Sequence, residues 1–166
     1  TLHNTLFPYT TLFRSDEDAL CSVGASAGGY AAFWLAGNHE GRFKAFISHC
    51  GVFNLESMYG STEELWFPNW EYGGPYWDLK NKEQYETHSP HRYAQNWDTP
   101  ILISTGEYDF RVPYTQSLEA FTVAQVKNIP SKLIVFPDET HFIAHPQEFL
   151  IWSSEFFNFL DKYTKK

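Results

Sequence analysis

The sequence predicts an α/β fold: a parallel sheet of about four strands with flanking helices. Two observations carry that prediction. Four short apolar runs recur along the chain with helical patterns between them. The runs are also nearly continuous in apolar character, as strands covered on both faces are. At 166 residues the chain fits one domain and can bury a sizeable core.

In chain order, the first strand is expected at Ala19–Val23. Gly28–Ala36 follows, apolar almost all round and so suited to a buried helix. Ala45–His49 and Ile101–Thr105 read as the second and third strands. Ser117–Lys127 sets Leu118, Phe121 and Ala124 three residues apart, a helical stripe, and Leu133–Phe136 is the fourth strand. The last helix opens on Pro146, a favourable first helical residue, and aligns Phe149, Trp152, Phe156, Phe159 and Tyr163 on one face. Lys162, Lys165 and Lys166 lie at its negative end.

One connection is anomalous. Cys50–Pro100 is far longer than the usual loop between strands and is dense in aromatic residues. It is expected to add a helical layer to the sheet, to wall a ligand pocket, or both. Phe53, Trp66, Trp70 and Tyr76 are the pocket candidates.

The N-terminal stretch stands apart. TLFPYTTLFRS, Thr5–Ser15, carries no strand or helix periodicity, and it matches the in-frame translation of a common sequencing-library adapter. Thr1–Ser15 is therefore expected to be adapter-derived and is kept out of the fold reasoning, leaving 16–166 as the native domain.

Composition excludes several classes. A net charge of -8 argues against a protein that tracks nucleic-acid phosphates. Two cysteines, Cys21 and Cys50, make neither a disulfide framework nor a zinc site, and both follow apolar stretches, as buried free thiols do. No apolar run reaches the ~18 residues of a membrane span. His88 and His91 have loosely metal-like spacing with no further ligand to complete a site. No metal and no cofactor are expected.

The chemistry-bearing motif is VGASAGGY, a G-x-S-x-G frame with Ser26 at its centre. Alone it is weak. Its place is what strengthens it, because it leaves a predicted strand and opens a predicted helix, where a nucleophile elbow belongs. Gly24 and Gly28 are expected to clear space in that turn. The helix N-terminus would offer positive potential to a developing oxyanion, with the backbone N–H of Ala27 as one donor.

A serine hydroxyl needs a base, and the base an orienting acid. GEYDFRVP puts Asp109 just past the third strand, and FPDETHFIAHP puts His141 just past the fourth. Parallel strands end on one edge, so Ser26, Asp109 and His141 can converge there. The rivals fit less well. Asp138 shares a loop with His141, His145 belongs to the start of the last helix, and His39 and His49 lack a carboxylate in a matching loop. Arg111 could bind a substrate carboxylate, but it reads first as one half of an ion pair within its own loop.

With these residues placed, the chain resembles the catalytic domain of the prolyl oligopeptidase family of serine peptidases, in its dipeptidyl-peptidase and acylaminoacyl-peptidase branch. The resemblance runs from about Asp16 to Tyr163, over GASAGGY, ELWFPNWEYGG, SPHRYAQNWDTPIL, GEYDFRVPYTQSLEAF, IPSKLIVFPDETHF and IWSSEFFNFLDKY. It implies the C-terminal half of an α/β-hydrolase fold, with Ser26 as nucleophile, His141 as base then acid, and Asp109 as orienter. It also implies cleavage of short peptides near their N-terminus, after an apolar or small residue. Ala27 departs from the aromatic residue common after the nucleophile, a change that leaves its backbone N–H in place. Family members carry a β-propeller and four further strands upstream. The resemblance therefore implies a truncated chain, an exposed first strand and a missing second oxyanion donor. It points to a periplasmic or secreted parent, a compartment the composition leaves undetermined. A bare triad would also suit a carboxylesterase, and a chain lacking its upstream half would have no catalysis of its own.

Overall fold

The computed structural model describes residues 16–165, so the adapter reading of Thr1–Ser15 lies outside the described residues. Four strands, β1 (Cys21–Ala25), β2 (Ala45–His49), β3 (Ile101–Gly106) and β4 (Ser131–Phe136), form one parallel sheet in the order β1-β2-β3-β4. The register runs Cys21↔Ala45, Phe46↔Ile101 and Ile101↔Ser131. β1 starts two residues later than expected, because Ala19 closes a short 3-10 turn over Glu17–Ala19 capped by the Asp16 side chain. Its far end is extended by pairing that continues to Ala25↔His49. β4 starts earlier than expected: Ser131 and Lys132 pair with Ile101 and Leu102 at the edge of the sheet, where polar side chains still reach water.

Between and around the strands lie α1 (Ala27–Ala36), α2 (Leu55–Ser61), α3 (Trp66–Glu71), α4 (Lys82–His88), α5 (Thr115–Val126) and α6 (Pro146–Thr164). Alternation along the strands divides the core in two. Phe46, Ile101 and Ile103 pack against Phe33 of α1 and Ala120 and Ala124 of α5. Ala45, Ile47 and Leu102 face the other way, onto Phe156 and Phe159 of α6. The central strands β2 and β3 are buried throughout, whereas Val23 of β1 is 48 % exposed.

The long connection holds α2, α3 and α4 and a second small core of Val52, Leu55, Met58, Tyr59 and Tyr85 with Val112. Asn54 caps α2, its side chain accepting from the amides of Glu56 and Ser57. The wholly buried Gln116 of α5 ties this layer down: its Oε1 accepts from the amides of Phe53 (3.0 Å) and Asn54 (2.8 Å), and its Nε2 donates to Ser57 Oγ at 2.7 Å. Among the described residues no helix is long and apolar enough to cross a membrane.

Candidate active site

Four consecutive strand ends bring side chains to one edge: Ser26 after β1, Cys50 after β2, Asp109 after β3 and His141 after β4. Ser26 makes the sharpest turn. Its backbone sits at φ 56 and ψ -119, a region that costs an L-residue energy. Its N–H donates to His49 O at 2.9 Å, and its hydroxyl makes no capping bond to α1, which leaves the side chain free at the helix mouth. Gly24 makes the turn possible, since a Cβ there would lie 2.2 Å from Gly28 O. Gly28 was expected to be needed for the same reason and is not: a Cβ on it would meet nothing within 4 Å.

Asp109 and His141 are in direct contact, with Nδ1 of His141 2.7 Å from Asp109 Oδ2 and both residues buried. The other carboxylate oxygen accepts the amides of Arg111 (3.0 Å) and Val112 (2.9 Å), so three donors fix the acid. Among the described residues the partner of His141 Nε2 is Cys50 Sγ at 3.9 Å, not the Ser26 hydroxyl. Ser26 and His141 meet across a cavity of about 270 Å³ that they line with His49, Cys50, Phe142 and Trp152. On the other side Ser26 and Ala27 open onto a larger cavity of about 530 Å³.

Two neighbours are ruled out as rival reactive groups. Burial, with smaller contributions from nearby charge, pushes the Cys50 thiol up to about 12, so it stays protonated. His49 bonds Ser104 Oγ through Nδ1 (2.9 Å), and Ser104 also accepts from Trp152 Nε1 (3.0 Å). Burial, then the nearby His141, lowers the His49 pKa, and among the described residues no carboxylate orients its ring as Asp109 orients His141.

The large cavity takes its aromatic wall from Tyr30, Phe67 and Tyr72. Of the pocket candidates read from the sequence, Phe53 is 2 % exposed, packed edge-on in the core against Phe33 and Trp97, and lines neither cavity beside Ser26. Trp66, Trp70 and Tyr76 are exposed and also outside the lining, Trp66 touching it edge-on through Phe67. Periodicity could not separate these residues because the layer turns three times within the connection. Arg111 pairs not within its own loop but with Glu64, at 2.9 Å and off the N–H direction, so the contact is Coulombic.

Sequence reasoning missed Glu139. Its buried carboxylate accepts the amides of Ala144 (2.9 Å) and His145 (2.7 Å) and contacts the His145 ring, closing the loop that carries His141. Its carbonyl accepts from Tyr108 N at 2.9 Å, which ties this loop to the one bearing Asp109. A Cβ at Gly106 would lie 2.2 Å from Thr140 O, so glycine lets the two loops touch.

Comparison with known proteins agrees with the fold. A family model described as "Prolyl oligopeptidase family" matches residues 9–166. The dipeptidyl-peptidase 5 of Porphyromonas gingivalis is 49 % identical over 153 residues, which are 91 % of this chain and 22 % of that protein. The dipeptidyl-peptidase 5 of Schizosaccharomyces pombe is 38 % identical over 155 residues, 93 % of this chain and 22 % of its own. The chain thus spans about 22 % of the length of these curated relatives. Among solved structures, uncomplexed acylaminoacyl peptidase from Pyrococcus horikoshii superposes with a TM-score of 0.85 at 25 % identity, covering 99 % of this chain and 27 % of that one.

Proposed function

The chain belongs to the prolyl oligopeptidase family, and on that footing we propose that Ser26, His141 and Asp109 act as the triad of a dipeptidyl-peptidase-like serine peptidase. The observation that carries the reading is the buried His141–Asp109 pair, at 2.7 Å, on a cavity shared with Ser26. Asp109 holds the imidazole with its proton on Nδ1, leaving Nε2 to accept the serine proton. Ser26 Oγ attacks the peptide carbonyl, and the oxyanion forms beside the Ala27 amide at the start of α1. His141 then returns the proton to the leaving amine, and water attacks the acyl-enzyme by the same route in reverse. A hydroxyl–imidazole contact that is open without substrate and closes with it is usual for such sites.

The larger cavity supports short peptides as substrates. Val52, Met58 and Val112 give it an apolar floor for the residue before the scissile bond, and Tyr30, Phe67 and Tyr72 wall it. In the parent protein a β-propeller would restrict entry to short chains.

Labelling with a fluorophosphonate probe tests the assignment, with the upstream region restored if the chain alone does not react. Ser26→Ala abolishes labelling; persistent labelling overturns the nucleophile. A dipeptide amide is cleaved in preference to a short acyl ester, and the reverse preference makes the protein a carboxylesterase instead.

A further inference from the structure

One buried nucleophilic group beside the triad takes no part in that mechanism. Cys50 follows β2 and is held at φ 42, with its N–H donating to Ser104 O at 2.8 Å. That backbone aims Sγ at His141: Sγ lies 3.9 Å from Nε2 and 3.6 Å from the His141 carbonyl oxygen. Ligand atoms of Cys50, Asp109 and His141 all fall within 4.8 Å of one another, and all three residues are buried. The His141 side chain is only 8 % exposed.

These distances match a metal bridge. A zinc–sulfur bond of about 2.3 Å and a zinc–nitrogen bond of about 2.0–2.1 Å close a triangle on the observed separation with an angle of roughly 125° at the metal. That is somewhat wider than tetrahedral, and neither donor has to move. The ring is also set for coordination. Nδ1 is committed to Asp109 at 2.7 Å, so Nε2 carries the lone pair, 3.9 Å from Sγ. A carboxylate behind a histidine in this way fixes the tautomer and raises the basicity of the ligand nitrogen.

We propose that Cys50 and His141 form a two-donor site for a thiophilic divalent cation, zinc or cadmium, whose binding silences the triad. This goes beyond the absence of a metal expected from the sequence, because Cys50 and His141 are brought together by strand order rather than by spacing. On binding, the S–H bond breaks, its proton passes to water and a sulfur–metal bond forms. Nε2 gives its lone pair to the same ion without losing a proton. The nitrogen that would accept the serine proton is then occupied. Magnesium, which favours oxygen donors, is not held. The silencing rests on the triad reading, whereas the binding does not.

Cadmium titration of the full chain, followed by the ultraviolet thiolate-to-metal charge-transfer band, separates the two. One equivalent is expected to bind to the wild type and to Cys21→Ser, which removes the other thiol. Cys50→Ser abolishes the band. His141→Gln keeps it with affinity at least ten-fold weaker, and this arm stays decisive should Cys50→Ser not fold. A band that survives Cys50→Ser, or an affinity unchanged in His141→Gln, overturns the site. Zinc is then expected to slow fluorophosphonate labelling of the wild type and not of Cys50→Ser, with magnesium as the control. Labelling unchanged in the zinc-loaded protein overturns the silencing. A chain that labels under no condition counts against the triad, and the cadmium arm still decides the metal site.

Discussion

Glu139 does its work without touching the reacting atoms. Burial alone would raise its pKa; the amides of Ala144 and His145, with the His145 ring, outweigh that and hold the carboxyl below its ordinary value of 4.5. The folded state thus prefers the ionised form, and the unfolded chain takes up a proton first as the solution is acidified. The stabilisation is full above 4.5 and drains away as pH falls through the lower folded value. Glu139→Gln is therefore expected to be less stable than the wild type by about 2 kcal/mol at neutral pH. Urea melts at neutral pH and in strong acid test this: the gap closes in acid, whereas an equal gap at both would make the loss one of packing. His49 adds to the same trend, since a ring held neutral by burial favours the folded state less as pH falls below its ordinary 6.5. Ser26, Asp109 and His141 could be proposed from sequence because each lies within five residues of the end of a recognisable apolar strand. Cys50 follows a strand in the same way, and that rule would have singled it out. Glu139 left no comparable signal, because its role is to bind backbone amides, which any sequence supplies.

At the scale of elements, the strands and the three helices that pack on the sheet were readable from apolar runs and stripes, with end shifts traceable to caps and pairing. The layer between β2 and β3 was legible only as a dense aromatic stretch. Its internal order depends on Gln116, a residue whose type says nothing of the two amides it serves. Gln116→Leu fills similar space but orphans the Phe53 and Asn54 amides, while Ser57 Oγ keeps its bond to Glu119. Each orphaned buried group costs on the order of 1–3 kcal/mol. A fall of that size or more in unfolding free energy is expected, with the α2–α4 layer losing amide hydrogen-exchange protection before the sheet does. Uniform loss of protection across sheet and layer would show that the layer has no separate stability.

For the whole molecule, the described residues leave β1 at one edge of the sheet with Val23 half exposed, and leave Phe149, Leu150, Ile151 and Phe157 of α6 open to solvent. An apolar strand edge is a template for pairing with another chain. Light scattering is expected to show concentration-dependent association of the isolated chain, reduced by Val23→Lys, because a charge on an edge strand opposes pairing. Scattering equal in the two proteins would move the cause to the α6 face. The sheet order also spaces Ser26, Asp109 and His141 unequally. Asp109 and His141 follow adjacent strands whose loops touch at Gly106, while Ser26 follows the opposite edge strand, two places from that of Asp109. A change in the twist of the sheet therefore carries Asp109 and His141 together as one lever and alters only their reach to Ser26. Whatever covers the outer side of β1 would govern that reach from a distance, without touching Ser26, Asp109 or His141.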